Sequence, residues 1–364
     1  MIKRIDKSVL LLLIVFTIIS IITVYASEIL LADSNNYYIK QIIWYIIGYF
    51  LIFLILKIGN EKIYKYTYPL YFISNIMLIL LLLFAPPINE AKCWFKVNGI
   101  GTIQPSEFMK ISLIITLSYE CSKYKEKYKK PSVKDEFMFL LKIMLIIIPP
   151  TILTFLEPDT GVVLIYLIIT MTILFVSGIR YRWFIILAIT FISIIAIILG
   201  VYFFNQKLFI SLFGNSFFLR INRLLDWSNK EGYQLINSMT SIGSAGLLGH
   251  GFNIKLYIPE AQTDFIFAVF SSCFGLIGSI ILLLLLVCFD IKIIKIGFSA
   301  KKNIDKYIIS GVIGMLIYQQ FQNIGMTIGI MPITGITLPF ISYGGSSLLS
   351  YMIMIALVLN ISKT

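Results

Sequence analysis

Long apolar runs separated by short polar breaks recur along the chain from end to end. A helix crossing a bilayer needs roughly 20 mostly apolar residues, and ten stretches approach that length: 9–26, 40–57, 67–85, 106–122, 137–156, 160–178, 183–204, 265–289, 306–329 and 346–361. Backbone facing lipid must satisfy its own hydrogen bonds, so these runs are predicted helices, and the alternating ten-residue pattern of a membrane barrel is not seen. The pattern predicts one all-α unit over 1–364, a polytopic membrane helix bundle of about ten transmembrane helices. No period suggests repeated halves.

The breaks are of two kinds, and they alternate. Short basic ones hold Lys3, Arg4 and Lys7, Lys57 to Lys65, Lys123 to Lys134, Arg180 and Arg182, Lys292 to Lys306, and Lys363, which together are most of the 30 Lys and Arg. The positive-inside rule puts these, and both termini, in the cytoplasm. The others are richer in Gly, Pro and acid: Pro86 to Gln104, Glu157 to Gly161, the long loop Asn205 to Thr263 between spans seven and eight, and Met331 to Ser347. Recognition of a substrate is therefore expected on the outer side of the membrane.

Composition agrees. With 59% hydrophobic and 13% charged residues and a mean hydropathy of +0.92, a soluble domain of this size is excluded. The net charge of +12 is accounted for by topology and anionic lipid headgroups, so no nucleic-acid partner is expected. Cys121, Cys273 and Cys288 lie in or beside apolar runs and only Cys93 in an outer loop, which implies no disulfide framework. The basic start and the run Val9 to Ala26 lack a small-x-small cleavage pattern and are expected to form an uncleaved first span.

Candidate chemistry sits at the outer ends of the spans. Glu107 and Lys110 follow Pro105 and lie three apart, on one helix face; a structural ion pair and a functional pair facing a cavity fit equally well. Asp264 opens the eighth span, where it either caps the helix or serves as a partly desolvated general base. Gly243, Gly246, Gly249 and Gly251, just before Lys255, form either a plain loop or a segment offering backbone N–H groups to phosphate. Arg220 and Arg223 are placed to pair locally near Asp226 or to grip an anionic headgroup. Turn and cap roles suffice for Glu157 and Asp159. His250 is the only histidine, which excludes a His-rich metal site, while Asp264 and Glu260 leave room for a carboxylate-held divalent cation. The broken segment Met331 to Ser347 is a candidate wall of a site.

Five segments resemble the SEDS family (shape, elongation, division and sporulation): Gln104 to Lys110, Glu157-Pro158-Asp159-Thr160-Gly161, Gly232-Tyr233-Gln234, Ile258 to Phe267, and Thr337 to Ser347. Their order and spacing span essentially the whole chain. Asn323 to Thr327 and Met331 to Gly335 look more like the elongation branch, RodA, than the division branch, FtsW. The resemblance implies a peptidoglycan glycosyltransferase that polymerises lipid II into β-1,4 glycan, usually beside a class B penicillin-binding protein. It makes Asp264 the catalytic carboxylate and matches the family's charged pair to Glu107 and Lys110 and its loop arginine to Arg220; beside the resemblance, Glu260, Lys255 and Ser342 complete the expected substrate contacts, with Mg or Mn as an optional cation. Two departures stand beside the expected site: Ser272 and Cys273 replace two usual glutamates, and the glycine-rich loop is shorter. A lipid-linked precursor flippase and a non-catalytic synthase scaffold are the rival readings.

Overall fold

A computed structural model describes residues 5–31, 36–86, 92–97, 101–215, 217–218, 221, 232–252 and 257–363. Each of the ten predicted spans is a helix, or the core of one. They are α1 (Lys7–Leu31), α2 (Tyr37–Ile58), α4 (Thr67–Phe84), α5 (Pro105–Lys127), α6 (Val133–Leu156), α7 (Thr160–Ser177), α8 (Tyr181–Phe204), α11 (Ile266–Ser299), α12 (Asn303–Thr327) and α13 (Gly345–Ile361). Local signals set their ends. Pro105 occupies the first turn of α5, a reciprocal Ser132–Asp135 capping box starts α6, and left-handed Gly178 ends α7.

Three short helices and one hairpin fill the breaks: α3 (Asn60–Lys65), α9 (Gln206–Phe213), α10 (Tyr233–Ser244), and β1 (Phe95–Val97) paired antiparallel with β2 (Gly101–Ile103), Lys96 opposite Thr102. The long outer stretch read as loop thus contains helix. The hairpin is the one exception to the all-α expectation among the described residues, and it lies in the outer break before α5.

Among the described residues seven helices are long and apolar enough to cross a membrane. The three other predicted spans, α5, α12 and α13, are the bundle's interior. Helix α5 packs on α4, α7 and α12, while α13 packs on α2 and α5. Buried Glu107, Lys110 and Glu120 on α5 and Gln319, Gln320, Gln322 and Asn323 on α12 are shielded by neighbouring helices rather than by their own hydropathy. Helix α8 is the opposite case: its most apolar stretch is wholly unburied, a surface made for lipid.

The chain's two ends meet, with the Asp6 amide donating to Ser362 Oγ at 3.4 Å. Around them lie the basic breaks: Lys363 Nζ donates to Leu56 O, Lys302 pairs with Glu61, and Tyr64 donates to Asp305 at 2.7 Å. The acid- and glycine-rich breaks gather at the other end, as the charge pattern predicts.

Candidate active site

The outer segments are stitched to one another by buried polar bonds. The Tyr343 amide donates to Gln262 O at 2.8 Å, Ser342 Oγ donates to Thr263 O at 2.7 Å, and Asn323 Nδ2 donates to both Asp264 O and Ile336 O. On the opposite side, the Gln104 amide donates to Ser346 Oγ at 2.9 Å and Gln104 Nε2 to Asp159 Oδ2 at 2.7 Å. Each bond satisfies a backbone or amide group that the breaks in helix would otherwise strand. Together they frame a cavity of about 680 Å³ lined by Glu107, Asp159, Glu260 and Asp264.

Asp264 precedes α11 by one residue, but no side chain caps that helix. The capping alternative therefore fails, and the carboxylate faces the cavity with its Oδ2 beside Gly335, where an added Cβ would stand 3.5 Å away. Burial, then the charges of Glu260 and Asp159, push its pKa up to about 7. Glu260 is exposed at the cavity mouth on a left-handed backbone (φ 50°), accepting from Thr263 Oγ1 at 3.1 Å.

Asp159 does more than the turn chemistry predicted for it. Its Oδ1 caps α7 through the Val162 amide at 3.1 Å, as expected, while the residue also lines the cavity. Burial raises its pKa to about 6, helped by the charge of Glu107 and opposed by the Val162 bond. Glu157 is fully buried with both carboxyl oxygens unpartnered, and burial holds it protonated up to about pH 9.

Glu107 and Lys110 form the predicted pair, Nζ to Oε2 2.6 Å. Glu107 also accepts from Ser350 Oγ at 3.0 Å. Lys110 is entirely buried behind it, 5.2 Å above the Tyr351 ring, and does not reach the cavity wall. Lys110, expected as a substrate contact, thus does not line the cavity itself but touches Glu107, which does.

Ser342 is also corrected: it is buried, donating to Thr263 O and accepting from the Leu338 amide at 2.8 Å, so it braces the Asp264 turn instead of facing substrate. Arg220 and Lys255 lie outside the described residues, as do Arg223 and Asp226. Among the described residues no three His, Cys, Asp or Glu side chains gather into a metal-holding group.

The glycine-rich loop is not a free phosphate cradle. Helix α11 breaks at Gly275 (φ 64°), and the loop threads the break. His250 and Gly251 amides donate to Ser272 O and Cys273 O, while Leu276 and Ile277 amides donate to Gly246 O and Leu247 O. Only glycines fit where the strands cross, since a Cβ on Gly249 would stand 2.2 Å from Cys273 O. Ser272 and Cys273, the expected departures from the family pattern, are buried in this crossing and do not line the cavity.

A sequence profile of the cell cycle protein family that unites FtsW, RodA and SpoVE matches residues 4–364. This chain belongs to that family. Curated SEDS relatives include proteins named probable peptidoglycan glycosyltransferase FtsW from Lactococcus lactis, 34% identical over 76% of this chain and 70% of that protein, and from Wigglesworthia glossinidia brevipalpis, 33% identical over 98% and 92%. Two solved structures share the fold. A chain from a study of polymerization and crosslinking by a peptidoglycan synthase complex superposes with a TM-score of 0.81 at 24% identity, covering 100% of this chain and 98% of that one. The rod shape determining protein RodA of Thermus thermophilus gives 0.70 at 24%, covering 98% and 96%. The protein is accordingly a multi-pass SEDS protein of the cell membrane.

Sequence reading missed Asp159 and Gln104 as cavity residues. The signal was available in the resemblance itself, because both lie in matching segments. It was masked by local roles, capping and helix entry, that explained them adequately.

Proposed function

We propose that this protein is a peptidoglycan glycosyltransferase that polymerises lipid II into β-1,4 glycan at the outer membrane face, working with a class B penicillin-binding protein. The observation that carries this reading is Asp264: a partly desolvated carboxylate, committed to no cap, in a cavity at the end of the bundle where a membrane-anchored pyrophosphate lies. The curated relatives' names and the synthase-complex neighbour support the activity and the partner.

The chemistry is a single inverting displacement. Asp264 takes the proton of the acceptor 4-hydroxyl; that oxygen forms the new bond to the donor's anomeric carbon as the bond to pyrophosphate breaks and the lipid pyrophosphate leaves with the electron pair. Glu107 is held by Lys110 and Ser350 in a fixed orientation suited to binding a sugar hydroxyl. Glu260 at the mouth is a second hydroxyl acceptor. A divalent cation such as Mg or Mn would rest on fewer than three protein ligands here, since no three His, Cys, Asp or Glu side chains gather among the described residues.

A flippase needs polar groups along a path through the membrane. Here Glu120 pairs with Lys142 and accepts from Tyr68, thirteen residues along α5 from Glu107, about 20 Å at helical rise. Between them α5 buries Leu113, Ile114, Ile115 and Leu117 alongside Ser112, Thr116 and Ser118, with no charged side chain of its own from 111 to 119, which disfavours a route for a charged headgroup.

The deciding experiment supplies lipid II to the purified protein with a partner synthase that lacks polymerising activity of its own. Glycan strands that disappear with Asp264→Ala support the proposal. Absence of polymer from the unmutated complex favours a scaffold or flippase.

A further inference from the structure

One wall of the cavity is chemically unlike the rest. The same cavity that holds the carboxylates is lined by the rings of Tyr37 and Trp44 from α2 and Tyr343 from the segment before α13, all partly exposed. Tyr37 and Tyr343 meet edge to face, with centroids 5.0 Å apart. Trp44 is fixed from behind: a Cβ on Gly345 would stand 2.5 Å from its Cε2, so the backbone that opens α13 presses directly on the indole. The wall is also tied to the reactive group, because the Tyr343 amide bonds Gln262 O, two residues before Asp264.

Resting on the glycosyltransferase reading, we propose that Trp44 and Tyr343, with Tyr37 at the rim, form the acceptor subsite, stacking an uncharged N-acetylhexosamine ring so that its hydroxyl edge faces Asp264. A pyranose has an apolar C–H face and a polar hydroxyl edge. The electron-rich face of an aromatic ring attracts those C–H groups, while the carboxylates lining the same cavity accept hydroxyl hydrogen bonds. A pyrophosphate suits the wall poorly, since it would face Glu107, Asp159 and Asp264 with no described cation among the stacked rings except Lys40, 5.6 Å over Tyr37 at the rim. A polyprenyl tail suits it no better, because it would leave those carboxylates against hydrocarbon. The acceptor sugar is the one part of the reactants that is neutral, two-faced and required beside the base.

The test measures binding of chitotriose, a soluble β-1,4 N-acetylglucosamine trimer, to the full chain in detergent by calorimetry, with undecaprenyl pyrophosphate as a second probe. The unmutated protein binds the sugar. Trp44→Ala and Tyr37→Ala weaken it by about fivefold to tenfold, the size of an aromatic contact, and leave the lipid's affinity unchanged. Trp44→Phe and Tyr343→Phe preserve packing and ring face and retain binding within about threefold, which separates stacking from misfolding. The inference is overturned if the unmutated protein binds no sugar, if the alanine variants bind it normally, or if they lose the lipid instead. Polymerisation by the unmutated protein is assayed in parallel: polymer without a Trp44 effect sinks this subsite alone, and no polymer sinks the proposed function.

Discussion

Lys110 spans one helical turn to Glu107, Nζ to Oε2 2.6 Å, while its own surroundings exclude water completely. A buried pair of this kind is held by geometry more than by net energy, because desolvation offsets much of the attraction. Its value is a carboxylate that cannot turn away from the cavity.

Removing one partner leaves the other charge buried alone. Glu107→Gln is expected to cost about 3–5 kcal/mol of stability, seen as a lower melting temperature in detergent, and Glu107→Gln with Lys110→Met is expected to recover much of it while polymerisation stays low. Full activity in the double variant would remove Glu107 from the site.

Asp264→Asn keeps the shape and removes the base. Polymerisation should fall by about 10²- to 10⁴-fold, measured as glycan product from lipid II, while thermal stability does not fall. Its sign can be derived: a carboxyl whose folded pKa is raised to about 7 binds its proton more tightly when folded, so ionising it as pH rises from the ordinary carboxylate range through 7 costs stability. The asparagine variant escapes that loss and should melt higher than the unmutated protein above neutral pH.

The same shift fixes the pH profile. The rate should fall about tenfold per unit as pH drops below about 7, where Asp264 takes up its proton. Glu260 on its own turn and Asp159 at the start of α7 both raise that value. Asp159→Asn should therefore move the midpoint to lower pH, and an unmoved profile would detach Asp159 from the base.

The crossing of Gly249 and Gly275 admits no side chain. Gly275→Ala places a Cβ 2.4 Å from the Gly249 amide nitrogen on a backbone with φ of 64°. Strain of this type costs on the order of 1–3 kcal/mol before the clash is counted, so the variant should melt earlier and its 246–251 loop should be cleaved faster by protease. Gly243→Ala, in open space, is the control.

Topology is checked by labelling. Lys96→Cys in the hairpin should react with an impermeant maleimide on intact cells, and Lys302→Cys, paired with Glu61 at the basic end, only after permeabilisation.

How far the sequence could be read follows from which forces are local. Hydropathy runs announce seven spans outright, since partitioning into lipid depends on composition alone, while α5, α12 and α13 are shorter or more polar runs shielded by the helices they pack on. Pro105 and Asp159 announce helix starts. What stayed hidden depends on partners remote in sequence: Ser342, which reads as exposed motif chemistry, spends its hydroxyl on Thr263 O, 79 residues away. The glycine-rich loop reads as free backbone because its acceptors, Ser272 O and Cys273 O, sit in the middle of what periodicity presents as an unbroken helix. Trp44 and Tyr37 carry no motif of their own, and only the fold sets them in one cavity with Glu107, Asp159 and Asp264.

Interior α5 bears on how the protein is made. Carrying Glu107, Lys110 and Glu120, it would enter the bilayer from the translocon against a penalty that reaches about 2.5–3.5 kcal/mol for a charge at the middle of the span and is smaller toward its ends. It must be handed over together with α4 and α7, its packing partners, so biogenesis cannot proceed strictly one helix at a time, and chains released after α5 alone should be poorly retained in the membrane and quickly degraded.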